Sequence, residues 1–210
     1  MVFVIYTIFF LLMIFTLEKR YYVYLKGLNS LAFIGVAIYC AITADHLSIL
    51  YIMLPGLIGC LIGDVLLATH YKNHFLYGLI TFLIANLCFL WFFSHYKGLT
   101  VEEFLLPAFA MMLLTALAYL PKMDYTQLAI PVRMYTFVIA WVTAKSIIVY
   151  LAMPSTMFLY CMIGFLLYLL SDLILLFYKF YECHYQKQLR IFNLVCYYSG
   201  LFMIAYSLIA

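Results

Sequence analysis

From Leu47 to Thr69 the chain reads LSILYIMLPGLIGCLIGDVLLAT, an apolar run broken by a single charge, Asp64. Comparable runs of roughly 17 to 23 residues recur along the whole chain, each about long enough to cross a bilayer. They do not alternate polar with apolar, as barrel strands would. In hydrocarbon a backbone must satisfy its own hydrogen bonds, so unalternating runs of this length fold as helices. Hydrophobic residues occupy 70% of the 210 positions and charged ones 9%. That is more apolar surface than a water-soluble domain can bury. The expected fold class is all-α: one polytopic membrane domain over residues 1–210.

Charged and Pro/Gly clusters divide the chain into eight expected spans. They run Met1 to Leu17, Gly27 to Thr43, Leu47 to Thr69, Phe75 to Ser94, Phe104 to Leu120, Pro131 to Tyr150, Met157 to Tyr178 and Ile191 to Ile209. The opening MVFVIYTIFFLLMIFTL lacks a basic leader and a small-residue cleavage site, so it reads as the first span. The odd-numbered connections and their flanks carry Lys19, Arg20, Lys26, Lys72, Lys122, Arg133, Lys179, Lys187 and Arg190. The other side holds Lys97, and Lys145 falls within the sixth span. This bias places the basic connections in the cytoplasm and both termini outside, in the cell membrane of a bacterial host. Tyr21, Tyr22, Tyr24, Tyr71, Tyr178, Tyr181 and Tyr185 crowd the same edges, as an interfacial aromatic belt does.

The six cysteines, Cys40, Cys60, Cys88, Cys161, Cys183 and Cys196, are scattered without a C-x-x-C pair. They read as small core hydrophobes, with neither a zinc site nor a disulfide framework. No cofactor is expected. A net charge of +3 is too small to point to nucleic acid. Membrane lipid is the expected partner, and no protein partner can be inferred.

Asp64 has a counterpart. Asp172 lies in LLSDLILLF, Leu169 to Phe177, and the third and seventh spans run in the same direction. Asp64 is six residues before His70 and Asp172 seven before Lys179, so both lie about 9 to 10 Å inside the cytoplasmic end. Every other acidic residue maps to a connection or a helix end. GDVLLA matches SDLILL in character, and each Asp has a glycine eight residues earlier, Gly56 and Gly164. The two acids are 108 residues apart, a separation of four spans, which hints at a duplicated four-helix unit. Gly63 and Ser171, one before each Asp, are small enough to admit a neighbouring backbone.

An intramembrane carboxylate costs roughly 2.5 to 3.5 kcal/mol on insertion scales, so it faces a bundle interior or a wet cavity. Two such groups close together cannot both ionise cheaply. One then holds a proton beside an ionised partner, equipment that serves acid catalysis and proton-coupled transport equally well.

With these residues in place, the chain resembles the YhhN-like family of integral membrane proteins, the lysoplasmalogenases. Its GDVLL, Gly63 to Leu67, and SDLIL, Ser171 to Leu175, are similar to the family's two acidic segments about a hundred residues apart. Lys26-Gly27 stands where the family has Lys-Pro, PVRMY (Pro131 to Tyr135) resembles the start of its sixth helix, and VCYYSG (Val195 to Gly200) its last. The chain departs from the family at Gly27, at Asn86 in place of a common histidine, and at Leu201 in place of a common glutamine.

The resemblance implies hydrolysis of the vinyl ether bond of a lysoplasmalogen, a lysophospholipid, to a fatty aldehyde and a glycerophospho-alcohol. It points to Asp64 and Asp172 as the catalytic pair, titrating as a coupled dyad. Substrate-binding candidates are Lys26 and Arg133 for the phosphate, with Asn86, Tyr135, Tyr197 and Tyr198 lining the pocket. Two other readings stay open. A proton-coupled small-molecule or lipid transporter would use the same pair, with Pro55-Gly56 as the nearest helix interruption. A metal-dependent hydrolase would use His70, His74 and His184, although solvated loop histidines explain these as well.

Overall fold

The computed structural model describes residues 2–17, 19, 21–69, 73–121, 123–181 and 184–210. Its eight α-helices are α1 Val2–Phe15, α2 Tyr22–Thr43, α3 Leu47–Ala68, α4 His74–Ser94, α5 Leu105–Leu117, α6 Ala129–Ala152, α7 Thr156–Phe180 and α8 Gln186–Tyr206. Short 3-10 turns occupy Val101–Phe104, Thr126–Leu128 and Ser207–Ile209. No strand forms among the described residues, as expected for hydrocarbon-embedded backbone.

Six helices, α2 to α4 and α6 to α8, are long and apolar enough to cross a membrane. Of the eight expected spans, α1, with 14 residues, and α5, with 13, fall short of that length. At about 1.5 Å per residue these reach only about 20 Å, against a hydrocarbon core of about 30 Å. The long helices in turn outrun their expected bounds. Helix α2 begins at Tyr22 instead of Gly27, and α8 at Gln186 instead of Ile191. Helical backbone continues through the polar interface, where Lys and Arg stems lie along apolar neighbours. Lys26 and Arg190 thereby become helix residues.

The six long helices close a ring. Contacts run α2 to α3, α3 to α4, α4 to α6, α6 to α7, α7 to α8 and α8 back to α2, while α1 leans on α2 and α5 on α6. Every contact in one half has its equivalent four helices later, as a duplicated unit requires. The tightest seam is α7 on α8. A Cβ on Gly164 would sit 2.8 Å from the Gly200 carbonyl, so the two backbones touch because neither glycine has a side chain. Large apolar side chains such as Tyr51, Trp91 and Phe109 cover the outside, a surface suited to lipid and not to water.

The two ends of the bundle differ. At one end the fifth and seventh connections meet, with Asp124 N–H donating to the Phe180 carbonyl at 3.0 Å and a single bridge between Met123 and Tyr181. At the other end, Lys145 on α6 pairs with Glu103 at 2.5 Å and donates to the Gly98 carbonyl at 2.6 Å. Trp141 Nε1 also donates to Glu103, and both charged side chains are fully buried. Glu103 lies in the α4–α5 connection, as expected, yet is a buried acid. It becomes one because the α4–α5 connection folds back onto α6.

Candidate functional site

Asp64 sits on the inner face of α3, 1% exposed, where helices α2, α3 and α8 converge. Its Oδ1 lies 3.1 Å from the Lys26 ammonium. Its Oδ2 accepts from Ser30 Oγ at 2.7 Å and from the Tyr197 hydroxyl at 2.9 Å. Lys26 and Ser30 are four residues apart on α2, hence on one face, and Lys26 is itself 6% exposed. With an ammonium and two hydroxyl donors around it, Asp64 is set up as a carboxylate.

Behind this cluster, the Tyr198 hydroxyl lies 3.1 Å from Ser30 Oγ and 3.4 Å from the Lys26 carbonyl. The Tyr198 carbonyl accepts from Tyr6 at 2.6 Å, which ties the short helix α1 to the site.

Asp172 is furnished differently. Its Oδ2 accepts from the Tyr135 hydroxyl at 2.6 Å. Among the described residues no cation pairs with it, and Oδ1 has no hydrogen-bond partner. The matched local sequences therefore carry two unlike acids, because Lys26 on α2 has no equivalent facing Asp172 from α6. In place of two equivalent acids stand an ion-paired Asp64 and a singly held Asp172.

Both acids nevertheless line one cavity of about 70 Å³, together with Lys26, Tyr168, Tyr197, Lys179 and Arg190. That space admits several water molecules. A contact one turn away explains how the pair comes together. Cys60 precedes Asp64 by four residues and Tyr168 precedes Asp172 by four, and Cys60 Sγ lies 3.9 Å from the Tyr168 hydroxyl. Equivalent positions of the two halves can touch only near the axis that relates them. Each Asp is about 6 Å further along its helix, still flanking that axis. The Tyr168 ring meets the Tyr197 ring edge-on at 5.3 Å between centroids, bridging the two acids through aromatic contact.

A second cavity, about 240 Å³, opens between α4, α5, α6 and α7. Its walls are almost wholly apolar, and Asp172 and Leu175 belong to both cavities. Asp172 stands where a polar chamber meets an oily one.

Of the residues expected at the site, Lys26, Asp64, Asp172 and Tyr197 share the first cavity, and Tyr135 reaches it through Asp172 while lining the second. Tyr198 supports Ser30 from behind. Asn86 is buried in α4, donates to the Phe82 carbonyl at 3.0 Å and is not part of the cavity wall. Arg133 is exposed on α6, outside both cavities, because that helix turns its 135 and 139 positions inward. Lys26 is spent on Asp64 in place of the phosphate expected for it.

The space beside Gly63 is taken by a ring. A Cβ there would lie 2.8 Å from the Phe82 ring, while Ser171 accepts from Asn193 Nδ2 through both its carbonyl and its hydroxyl at 2.8 Å. Tyr22, expected in the interfacial belt, is 9% exposed and lines the cavity.

Sequence reasoning missed Ser30, Tyr168, Lys179, Arg190 and Asn193. Ser30 and Tyr168 were findable, each lying four residues from an expected site residue on the same helix. Helix α3 continues through Pro55 from Leu47 to Ala68 without splitting into half-helices. His70 lies outside the described residues, and among those described no group of three His, Cys, Asp or Glu side chains is placed to hold a metal ion.

The profile of the YhhN family matches residues 21–208. No curated protein and no solved structure matches the chain.

Proposed function

The chain belongs to the YhhN family, and from that premise we propose that it is a membrane hydrolase of lysoplasmalogens. It cleaves the vinyl ether to a fatty aldehyde and a glycerophospho-alcohol. The observation that carries the reading is the cavity shared by two carboxyl groups of opposite character, one with a cation and one without.

A vinyl ether hydrolyses by protonation at the alkenyl carbon remote from oxygen, which leaves an oxocarbenium ion. Asp172 is assigned the donor's role, because among the described residues no cation pairs with its carboxyl and its Oδ1 is free of protein donors. Its proton forms the new C–H bond, the C=C π pair is consumed, and Asp172 is left as a carboxylate.

Asp64, held ionised by Lys26, stabilises the cation electrostatically in a site shielded from bulk water. A water molecule in the cavity adds to the oxocarbenium carbon and returns a proton to Asp172. The resulting hemiacetal breaks its C–O bond to the glycerol oxygen as that oxygen takes up a proton and the hemiacetal hydroxyl gives one up, giving aldehyde and alcohol. No net proton is consumed.

The test is aldehyde release by the purified protein in detergent. A lysoplasmalogen should yield aldehyde, and the saturated alkyl ether of the same head group should yield none. Absence of aldehyde from the vinyl ether, with folded protein verified, would overturn the reading.

A further inference from the structure

Two cations of the first cavity are unused by the acids. Lys179 stands over the Tyr178 ring at 5.3 Å and the Phe75 ring at 5.7 Å, and the Arg190 guanidinium covers the Tyr22 ring at 4.6 Å. Neither has a carboxylate partner among the described residues. Aromatic faces hold both charges in position without neutralising them. Lys26 and Asp64 cancel one another, so among the described residues these two cations give the cavity a positive charge that no ion pair offsets. The opposite wall of Asp172 belongs to the apolar cavity bounded by α5.

We infer that Arg190 and Lys179 bind the phosphodiester of the substrate, and that the groove between α5 and α7 takes its single aliphatic chain. This deepens the hydrolase reading and rests on it. A lysoplasmalogen has its phosphate and its chain on either side of the vinyl ether, separated on the phosphate side only by glycerol. With the ether at Asp172, the phosphate falls toward the two cations and the chain falls into the oily cavity. The occupant is an anionic single-chain lipid because one end of the site attracts a monoanion and the other offers almost no hydrogen-bonding group. The short helix α5 forms one wall of the groove, which would give a lipid lateral entry from the bilayer.

Kinetics on two substrates test the phosphate site. For an alkenyl-glycerophosphoethanolamine, Arg190→Gln and Lys179→Gln should each raise KM about tenfold with kcat little changed, as loss of a charge-assisted contact does. For the matching alkenylglycerol, which lacks phosphate, KM should not move. Arg190→Lys, which keeps the charge, should recover part of the loss and guards against a folding defect. Equal KM in wild type and both Gln variants for the phosphorylated substrate overturns the assignment, as does an equal rise for both substrates.

Ala110→Trp, on the α5 wall, should shift the preferred chain to a shorter one, and an unchanged chain-length profile overturns the groove. Binding to Asp172→Asn protein in maltoside detergent separates the sources of anion. The chain-bearing phosphodiester should compete at least about tenfold better than glycerophosphoethanolamine or inorganic phosphate, and parity overturns the joint site. If wild type releases no aldehyde, the hydrolase reading fails while these binding measurements still decide the site.

Discussion

The Lys26 ammonium lies 3.1 Å from Asp64 Oδ1, deep in the bundle, with 6% of the lysine and 1% of the aspartate exposed. Asp172, its equivalent four helices on, has the Tyr135 hydroxyl at 2.6 Å and, among the described residues, no cation paired with it. Two acids of similar sequence setting thus have unlike surroundings.

A first consequence is a split between activity and stability. Asp64→Asn and Asp172→Asn should both abolish aldehyde release. Only Asp64→Asn strands a buried ammonium, at a cost of about 3 to 5 kcal/mol. Thermal melts in detergent should show a clear drop for Asp64→Asn, a small one for Asp172→Asn, and recovery when Lys26→Met is added to Asp64→Asn. Near wild-type aldehyde release from both single variants would end the case for acid catalysis by this pair.

Tyr135 orients the proposed donor by the one hydrogen bond that Asp172's side chain makes among the described residues. Tyr135→Phe should lower kcat about tenfold, equivalent to roughly 1.4 kcal/mol, with KM nearly constant. A variant with unchanged kcat would show that Asp172 needs no positioning from α6.

The α7–α8 seam predicts opposite effects for two glycines. At Gly164 a Cβ meets Ile204 Cγ1 at 2.6 Å and the Gly200 carbonyl at 2.8 Å, whereas at Gly35 it meets nothing within 4 Å. Gly164→Ala should lower the melting temperature and reduce turnover, because separating α7 from α8 moves Asp172 away from Tyr197. Gly35→Ala, in the interior of α2, should be neutral or stabilise by about 0.5 to 1 kcal/mol. Equal melting temperatures for the two variants would contradict the packing.

The Lys145–Glu103 pair is remote from the proposed site yet fully buried. Glu103→Gln and Lys145→Met should each destabilise strongly, and the double variant should recover a large part of the loss, since no unpaired charge remains. A double-mutant cycle with a coupling below about 0.5 kcal/mol would mean the pair does not hold the α4–α5 connection in place.

Orientation is open to direct labelling. The basic-residue bias expects Leu99→Cys to react with a membrane-impermeant maleimide in intact cells, and Tyr185→Cys only after lysis, both on a Cys183→Ser background. The reverse pattern would place both termini in the cytoplasm.

Much of the architecture was legible because the bilayer imposes it. Continuous apolar runs had to be helices, and the charged clusters between them had to be connections. Asp64 and Asp172 stood out because hydrocarbon penalises a charge at that depth. The expected helix starts at Gly27 and Ile191 fall late, because Lys and Arg read as breaks lie on helices that carry them into the interface. Arg133 and Asn86 were placed by family pattern, and a linear pattern cannot say which way a residue faces on a helix that is apolar all round.

The residues by themselves determined that this chain is a helical membrane protein with two embedded acids at matching positions. They could do so because solvent preference and helical rise are local properties, readable one segment at a time. Only the closed ring decided that Lys26 neutralises one acid and leaves the other to Tyr135, and that Lys179 and Arg190 face the same chamber. Those are relations between helices far apart in the chain, set by which small side chains allow backbones to meet.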